Sequence, residues 1–271
     1  MKIEIENMGF AYPHCPPVLK DINLKFEGSG FISILGPNGV GKSTLIHCIN
    51  KLLIPTEGTV TVDDVNVNRY TLKDLAKKVS YVPCFTSDSF PLTVIDTILI
   101  GRHPYSSRRT TEADFEKVYQ ILKLLEIKDL SMRPFNELSA GQHQKVALAR
   151  GLVQETQILL LDEPTSNLDI RHQIEVSQIL SDLAQKNGIM IIMICHDLNI
   201  ASKYSDKIIM MSEGTIHSIG TPEEVLTEEN ILEVYGVESK VVIDEGRPHV
   251  ILRNSNRSAQ RENKDGVMES A

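Results

Sequence analysis

The sequence predicts an α/β fold, built on a parallel sheet and interrupted by a mainly helical insert. Three observations lead there. Short apolar runs, each too brief for a helix, recur at 31–35, 158–161 and 189–195. A helical stripe separates the second run from the third. Residues from about 85 to 155 carry helical spacing instead. Strand–helix–strand alternation is the pattern of parallel strands joined by helical crossovers.

Taken in order, residues 2–26 alternate as edge strands do, with Ile3 and Ile5, then Ile22, Leu24 and Phe26. Phe31-Ile32-Ser33-Ile34-Leu35 is bounded by glycines and suits a strand buried on both faces. A glycine-rich loop follows, and residues 44–53 have helical spacing. Val79-Ser80-Tyr81-Val82-Pro83 reads as another strand. In the insert, Phe115, Val118, Leu122 and Leu125 share one helix face, read as an ordinary packing face. Val146, Ala149 and Val153 mark a second helix. Strands return at Ile158–Leu161, 189–195 and 207–211, with Val176, Ile179, Leu180 and Leu183 on the crossover helix. Residues 254–271 hold almost no large apolar side chains and read as a frayed, disordered tail. No internal repeat is visible.

Composition narrows the function. The chain has 271 residues with 41% hydrophobic and 24% charged, enough to build a core. Its net charge of −8 makes nucleic acid or an anionic membrane face a poor partner. No apolar run approaches the ~18 residues of a membrane span. The N-terminus alternates charged and apolar residues and has no signal-peptide core. The chain is therefore expected in the cytoplasm, with any membrane role reached through a partner. Cys15, Cys48, Cys84 and Cys195 show no metal-ligand spacing and read as reduced, buried small residues.

Two motifs carry chemistry. Gly36-Pro37-Asn38-Gly39-Val40-Gly41-Lys42-Ser43 fits G-x-x-x-x-G-K-[ST], with a buried strand before it and a helix, beginning near Thr44, after it. Glycines let backbone N–H groups turn onto phosphate oxygens, and the helix N-terminus adds its positive end. Lys42 then reaches the β- and γ-phosphates, and the Ser43 hydroxyl coordinates Mg²⁺. Further on, Ile158-Leu159-Leu160-Leu161-Asp162-Glu163 places Asp162 at the C-terminal end of a strand beside that loop. There Asp162 can hold Mg²⁺ through water, and Glu163 can polarise an attacking water as general base.

Between them, Leu138-Ser139-Ala140-Gly141-Gln142 opens a helix. With both motifs, this resembles the ATP-binding subunit of ABC transporters over about residues 2–250. The resemblance implies a P-loop NTPase (RecA-like) core with an N-terminal antiparallel β-subdomain and a helical, signature-bearing insert. The expected division is 1–84, 85–155 for the insert, 156–253 for the rest of the core and a C-terminal extension, and 254–271 for the tail. It also implies ATP and Mg²⁺ as ligands and a homodimer. In that dimer Ser139, Gly141 and Gln142 would contact the γ-phosphate of ATP held by the other copy. Ser139 as a plain helix N-cap is compatible with this. By the same resemblance, Tyr12 lies under adenine. Ser166-Asn167-Leu168-Asp169 crosses the dimer interface, with Asp169 in the site. His196, at the end of the strand 189–195, touches the γ-phosphate. Expected partners are two integral membrane permease subunits and, indirectly, an extracellular or periplasmic substrate-binding protein. Nucleic acid is not among them. The chain would sit on the cytoplasmic face of the membrane.

One residue departs from the pattern. After Val79–Pro83 the family places glutamine, an oxygen ligand for Mg²⁺; here it is Cys84. Thiol is a soft, weak ligand for a hard cation. Water replacing the lost ligand is the favoured reading. An oxygen from Thr86, Ser87 or Asp88, or weakened hydrolysis, are the others. Beyond the core, Thr93–Asp96, Gly101-Arg102-His103-Pro104-Tyr105, Leu168-Asp169-Ile170-Arg171-His172-Gln173, His196-Asp197-Leu198-Asn199 and Glu233-Val234-Tyr235-Gly236-Val237 resemble importers of iron-siderophore, haem and cobalamin type. Phe85, Phe90 and Leu92 either receive a membrane subunit's helix or belong to the core of the insert. The alternative functions are a transporter ATPase for another cargo, a non-catalytic partner subunit, and a soluble ABC-type ATPase.

Overall fold

A computed structural model describes residues 1–84, 92–105, 110–166 and 168–253. The chain opens with β1 (Lys2–Ala11), β2 (Pro17–Glu27), β3 (Gly30–Leu35) and α1 (Lys42–Ile49). Next come β4 (Glu57–Val62), β5 (Val65–Asn66), α2 (Leu72–Leu75) and β6 (Val79–Val82). Helices α3 (Val94–Leu99), α4 (Glu112–Leu124) and α5 (Ala140–Leu152) follow. The chain then runs through β7 (Ile158–Leu161), α6 (Ile170–Asn187), β8 (Met190–Ile194), α7 (Leu198–Tyr204), β9 (Lys207–Ser212) and β10 (Thr215–Gly220). It closes with α8 (Pro222–Val225), α9 (Glu228–Tyr235), β11 (Ser239–Asp244) and β12 (Arg247–Leu252).

The central sheet has the order β10-β9-β3-β8-β7-β6 among the described residues. Its five strands from β9 to β6 are parallel, and β10 pairs antiparallel at the edge. Strand side chains alternate between two cores. Ile32, Ile34, Ile158, Leu160, Ile192 and Ile194 face one; Phe31, Leu35, Leu159, Leu161, Ile191 and Met193 face the other. This two-sided burial explains why β3, β7 and β8 read as unbroken apolar runs. An antiparallel sheet, β2-β1-β4-β5, and α1 cover the first face. The insert helices, with α6 and α9, cover the second.

The structure moves some expected boundaries. Helix α1 ends at Ile49, not residue 53. Lys51 takes φ 57°, and the amides of Leu52 and Leu53 both turn back to the His47 carbonyl. That turn leaves Leu52 exposed. On α4, Val118 and Leu122 are buried, but Phe115 is 46% exposed. Asp114, paired with Arg102 at 2.9 Å, occupies the buried face and rotates it away from Phe115. Only Cys48 and Cys195 are buried; Cys15 is exposed and Cys84 half-buried. Leu92 is half-buried, whereas Phe85, Phe90, Thr86, Ser87, Asp88, Asn167 and the tail 254–271 lie outside the described residues. No helix among the described residues is long and apolar enough to cross a membrane.

Candidate functional site

Four adjacent parallel strands deliver the site. The glycine loop leaves β3, His196 follows β8, Asp162 and Glu163 follow β7, and Cys84 follows β6. All lie beyond the carboxyl ends of their strands, where open α/β sheets bind ligands.

The loop requires its glycines for physical reasons. Gly36 has φ 144°, and a Cβ there would lie 2.4 Å from the Met211 carbonyl oxygen. Gly41, at φ 100°, forms the N-cap of α1 without a side-chain bond, so that helix end keeps amides free for a ligand. Lys42 is 5% exposed and donates to the carbonyls of Gly36 and Pro37, each at 2.8 Å. Burial pushes its ammonium below the usual lysine range; Glu163 and Asp162 pull the other way.

The Ser43 hydroxyl donates to Asp162 Oδ1 at 3.1 Å. Burial raises the Asp162 carboxyl above its ordinary range, against the Ser43 bond. Tyr81 donates to Asp162 Oδ2 at 3.4 Å, and His47 Nε2 lies 2.9 Å from the Tyr81 hydroxyl. Ser43 and Asp162 therefore converge two hard oxygen donors on one point, the donor chemistry Mg²⁺ takes. His47 and Tyr81 were not singled out from sequence. The available signal was the i,i+4 spacing of Ser43 and His47, which puts both on one helix face.

Glu163 sits at φ 50°, a left-handed conformation uncommon for a non-glycine residue and typical of strained sites. His196 Nε2 lies 2.6 Å from Glu163 Oε1. Cys84 Sγ reaches Glu163 Oε2 at 3.9 Å and the Ser166 hydroxyl at 3.6 Å. Burial raises the Cys84 thiol above its usual range, so it stays neutral beside the carboxylate.

A cleft of about 460 Å³ opens beside these groups, and Asp162 and Cys84 do not line it. Tyr12, Asn38, Gly39, Gly41, Lys42, Ser43, Thr44, Glu163 and His196 line it, with Val18. Tyr12 is 43% exposed and packs edge-on against Phe10 at 4.9 Å, presenting a ring at the cleft's open side. Val18 was missed because nothing local distinguishes it from its strand neighbours. Gly36, Pro37 and Val40 shape the loop from behind and do not line the cleft.

Ser139, Gly141, Gln142 and Asp169 do not line it either. Ser139 caps α5: its hydroxyl accepts from the Gln142 amide at 3.4 Å, and Gln142 Oε1 accepts from the Ser139 amide at 3.0 Å. Asp169 caps α6, its Oδ1 accepting from the His172 amide at 2.9 Å and lying 2.8 Å from His172 Nδ1. Both N-caps are exposed. This chain thus carries a phosphate-binding cleft and, outside it, a second helix N-terminus with a hydroxyl on an open surface.

Residues 19–166 match the profile of the ABC transporter family. An uncharacterized ABC transporter ATP-binding protein of Methanocaldococcus jannaschii is 43% identical over 93% of this chain and 98% of its own length. The petrobactin import ATP-binding protein of Bacillus subtilis is 33% identical, covering 86% of this chain and 92% of its own. Among solved structures, a metal-chelate type ABC transporter in an inward-facing conformation superposes with a TM-score of 0.80 at 27% identity. That match covers 93% of this chain and 96% of the other.

Proposed function

This chain belongs to the ABC transporter family as one of its ATP-binding subunits, and we propose that two copies close around two Mg-ATP to drive uptake of a metal chelate. The reaction is ATP + H₂O to ADP + phosphate. The loop amides and Lys42 receive the β- and γ-phosphates. Ser43 and Asp162 would hold Mg²⁺, which would supply charge neutralisation at the phosphates. Glu163 takes a proton from the attacking water, and His196 bonds the γ-phosphate and orients Glu163. Tyr12 stacks on the adenine.

The observation that carries the dimer is the separation of the two phosphate-binding features. Ser139 and Asp169 stand exposed and Gly141 and Gln142 half-buried, all outside the cleft of their own chain. The Ser139 hydroxyl and the positive end of the α5 dipole fit a γ-phosphate presented by a second copy. Closure of the pair moves two membrane permease subunits, and hydrolysis reopens it. The subunit works at the cytoplasmic face of the membrane, and an external binding protein reaches it only through the permease. The cargo is an iron complex (siderophore or haem) or cobalamin, a reading supported by the petrobactin importer and metal-chelate transporter among its relatives.

Glu163→Gln tests the mechanism. It keeps the shape of the side chain and removes the base. Phosphate release is expected to fall at least ~100-fold, and Mg-ATP is expected to shift the variant to a dimer in size-exclusion chromatography. A variant that hydrolyses normally, or stays monomeric at saturating Mg-ATP with and without the permease, overturns the reading. For the cargo, deletion of the gene is expected to abolish uptake of one of the three chelate classes. Unchanged uptake of all three overturns that assignment.

A further inference from the structure

The proposed chemistry leaves unused Asn199, which follows His196 by three residues, and the C-terminal hairpin β11–β12. The structure joins them. Asn199 Nδ2 donates to the Val250 carbonyl at 3.2 Å, and its Oδ1 accepts from the Val250 amide at 2.7 Å. A carboxamide offers the same donor and acceptor as a peptide group, so Asn199 acts as a one-residue strand on the open edge of β12. Ser202 donates to the Pro248 carbonyl, and Arg247 to the Ser205 carbonyl at 3.2 Å. Four bonds thus fix the hairpin along α7 and its C-cap.

Helix α7 also anchors the loop that carries His196. Asp197 Oδ1 accepts from the amides of Asn199 and Ile200 at 2.8 and 2.9 Å. Cys195 Sγ donates back to the Asp197 carbonyl at 3.3 Å. His196 therefore stands between β8, rigid in the sheet, and an α7 cap whose position depends on the hairpin. A cavity of about 310 Å³ lies behind it, lined by His196, Leu198, Asn199, Tyr235, Val250 and Leu252. With open space behind the loop, packing alone does not hold it forward.

We propose that Asn199 is a positioning residue for His196, stapling the C-terminal hairpin to α7 so that His196 is held against Glu163 and the nucleotide. The proposal rests on the functional reading above, in which His196 contacts the γ-phosphate. Misplacement of a catalytic group by about 1 Å can cost ~100-fold in rate. A loosened staple shifts the loop by less, and roughly a tenfold loss is expected.

The test is a double-mutant cycle on the full chain, read by steady-state ATP hydrolysis well below the melting temperature. Asn199→Ala is expected to lower kcat by roughly tenfold with KM for ATP changed less than twofold. In a His196→Ala background, Asn199→Ala is expected to add no further loss. Asn199→Asp keeps the acceptor for Val250 but sets a carboxylate against its carbonyl, so it is expected to lose kcat as well. Ser202→Ala, a milder cut at the same seam, keeps the test open if Asn199→Ala does not fold; a smaller loss of kcat is expected. A lowered melting temperature with unchanged kcat shows a structural role and overturns the proposal. So do fully additive losses in the double mutant. Wild-type kcat in His196→Ala alone instead overturns the site reading on which the proposal stands.

Discussion

Replacing Gly36 with alanine would place a methyl carbon 2.4 Å from the Met211 carbonyl oxygen, at a residue held at φ 144°. Both effects cost energy. An L-residue forced to this backbone conformation stores about 1–3 kcal/mol. The methyl adds an overpacking cost of about 1–3 kcal/mol, because Met211 belongs to β9 and cannot retreat without disturbing its pairing with Ile216 of β10. The central expectation is about 4 kcal/mol, a large share of the ~5–15 kcal/mol that stabilises a typical domain. At roughly 2–4 °C per kcal/mol for a chain of this size, the melting temperature falls by about 8–16 °C. Gly39 is the internal control. It has φ 83° but open space around a Cβ, so Gly39→Ala carries the strain alone, about 2 kcal/mol, and its melting temperature is expected to fall by about 4–8 °C. Differential scanning calorimetry measures both, and binding of a fluorescent ATP analogue reads the loop directly. Gly36→Ala is expected to lose nucleotide binding, because the loop relieves the clash by moving. A melting temperature within 2 °C of wild type, or a Gly39→Ala variant as damaged as Gly36→Ala, would refute the reasoning.

Two further outcomes are expected. Cys84→Gln should preserve ATP binding and lower the Mg²⁺ concentration giving half-maximal turnover, because an amide oxygen replaces a thiol beside Glu163; an unchanged Mg²⁺ titration would reject this. In the insert, the Thr111 backbone amide, the Arg102 guanidinium and the Thr111 hydroxyl hold the Asp114 carboxyl down at about 2. Its ionised form thus contributes stability above the unfolded-state pKa, and that contribution is lost as pH falls toward 2. The stability gap between wild type and Asp114→Asn should therefore be flat from pH 7 to pH 5 and shrink below pH 4; a gap that widens on acidification would contradict it.

What was legible from the sequence is the local part of the molecule. A loop that must pass φ values closed to L-residues announces itself through Gly36, Gly39 and Gly41. A strand buried on both faces announces itself through Ile158-Leu159-Leu160-Leu161, which puts Asp162 and Glu163 at its end. The capping box at Ser139 and Gln142 is equally local. Elements whose partners lie far along the chain were not legible. Strands β4 and β5, the edge strand β10 and the hairpin β11–β12 carry weak alternation, since pairing and half-burial, not composition, make them strands. The outward turn of Phe115 follows from an ion pair between Arg102 and Asp114 that no helical spacing reveals.

Local sequence supplied the residues proposed for the chemistry: a glycine loop with Lys42 and Ser43 after β3, Asp162 and Glu163 after β7, and His196 after β8. How they meet depends on long-range packing. His196 reaches Glu163 at 2.6 Å because β8 pairs with β7 in register, Met193 opposite Leu161. The Tyr81–His47 bridge to Asp162 exists because β6 lies on the other side of β7. The exclusion of Ser139 and Asp169 from the cleft is also a tertiary fact. The physical reason is that backbone conformation is dictated by neighbouring residues, whereas contact between distant side chains depends on sheet order and register, which many sequences with these motifs could satisfy differently.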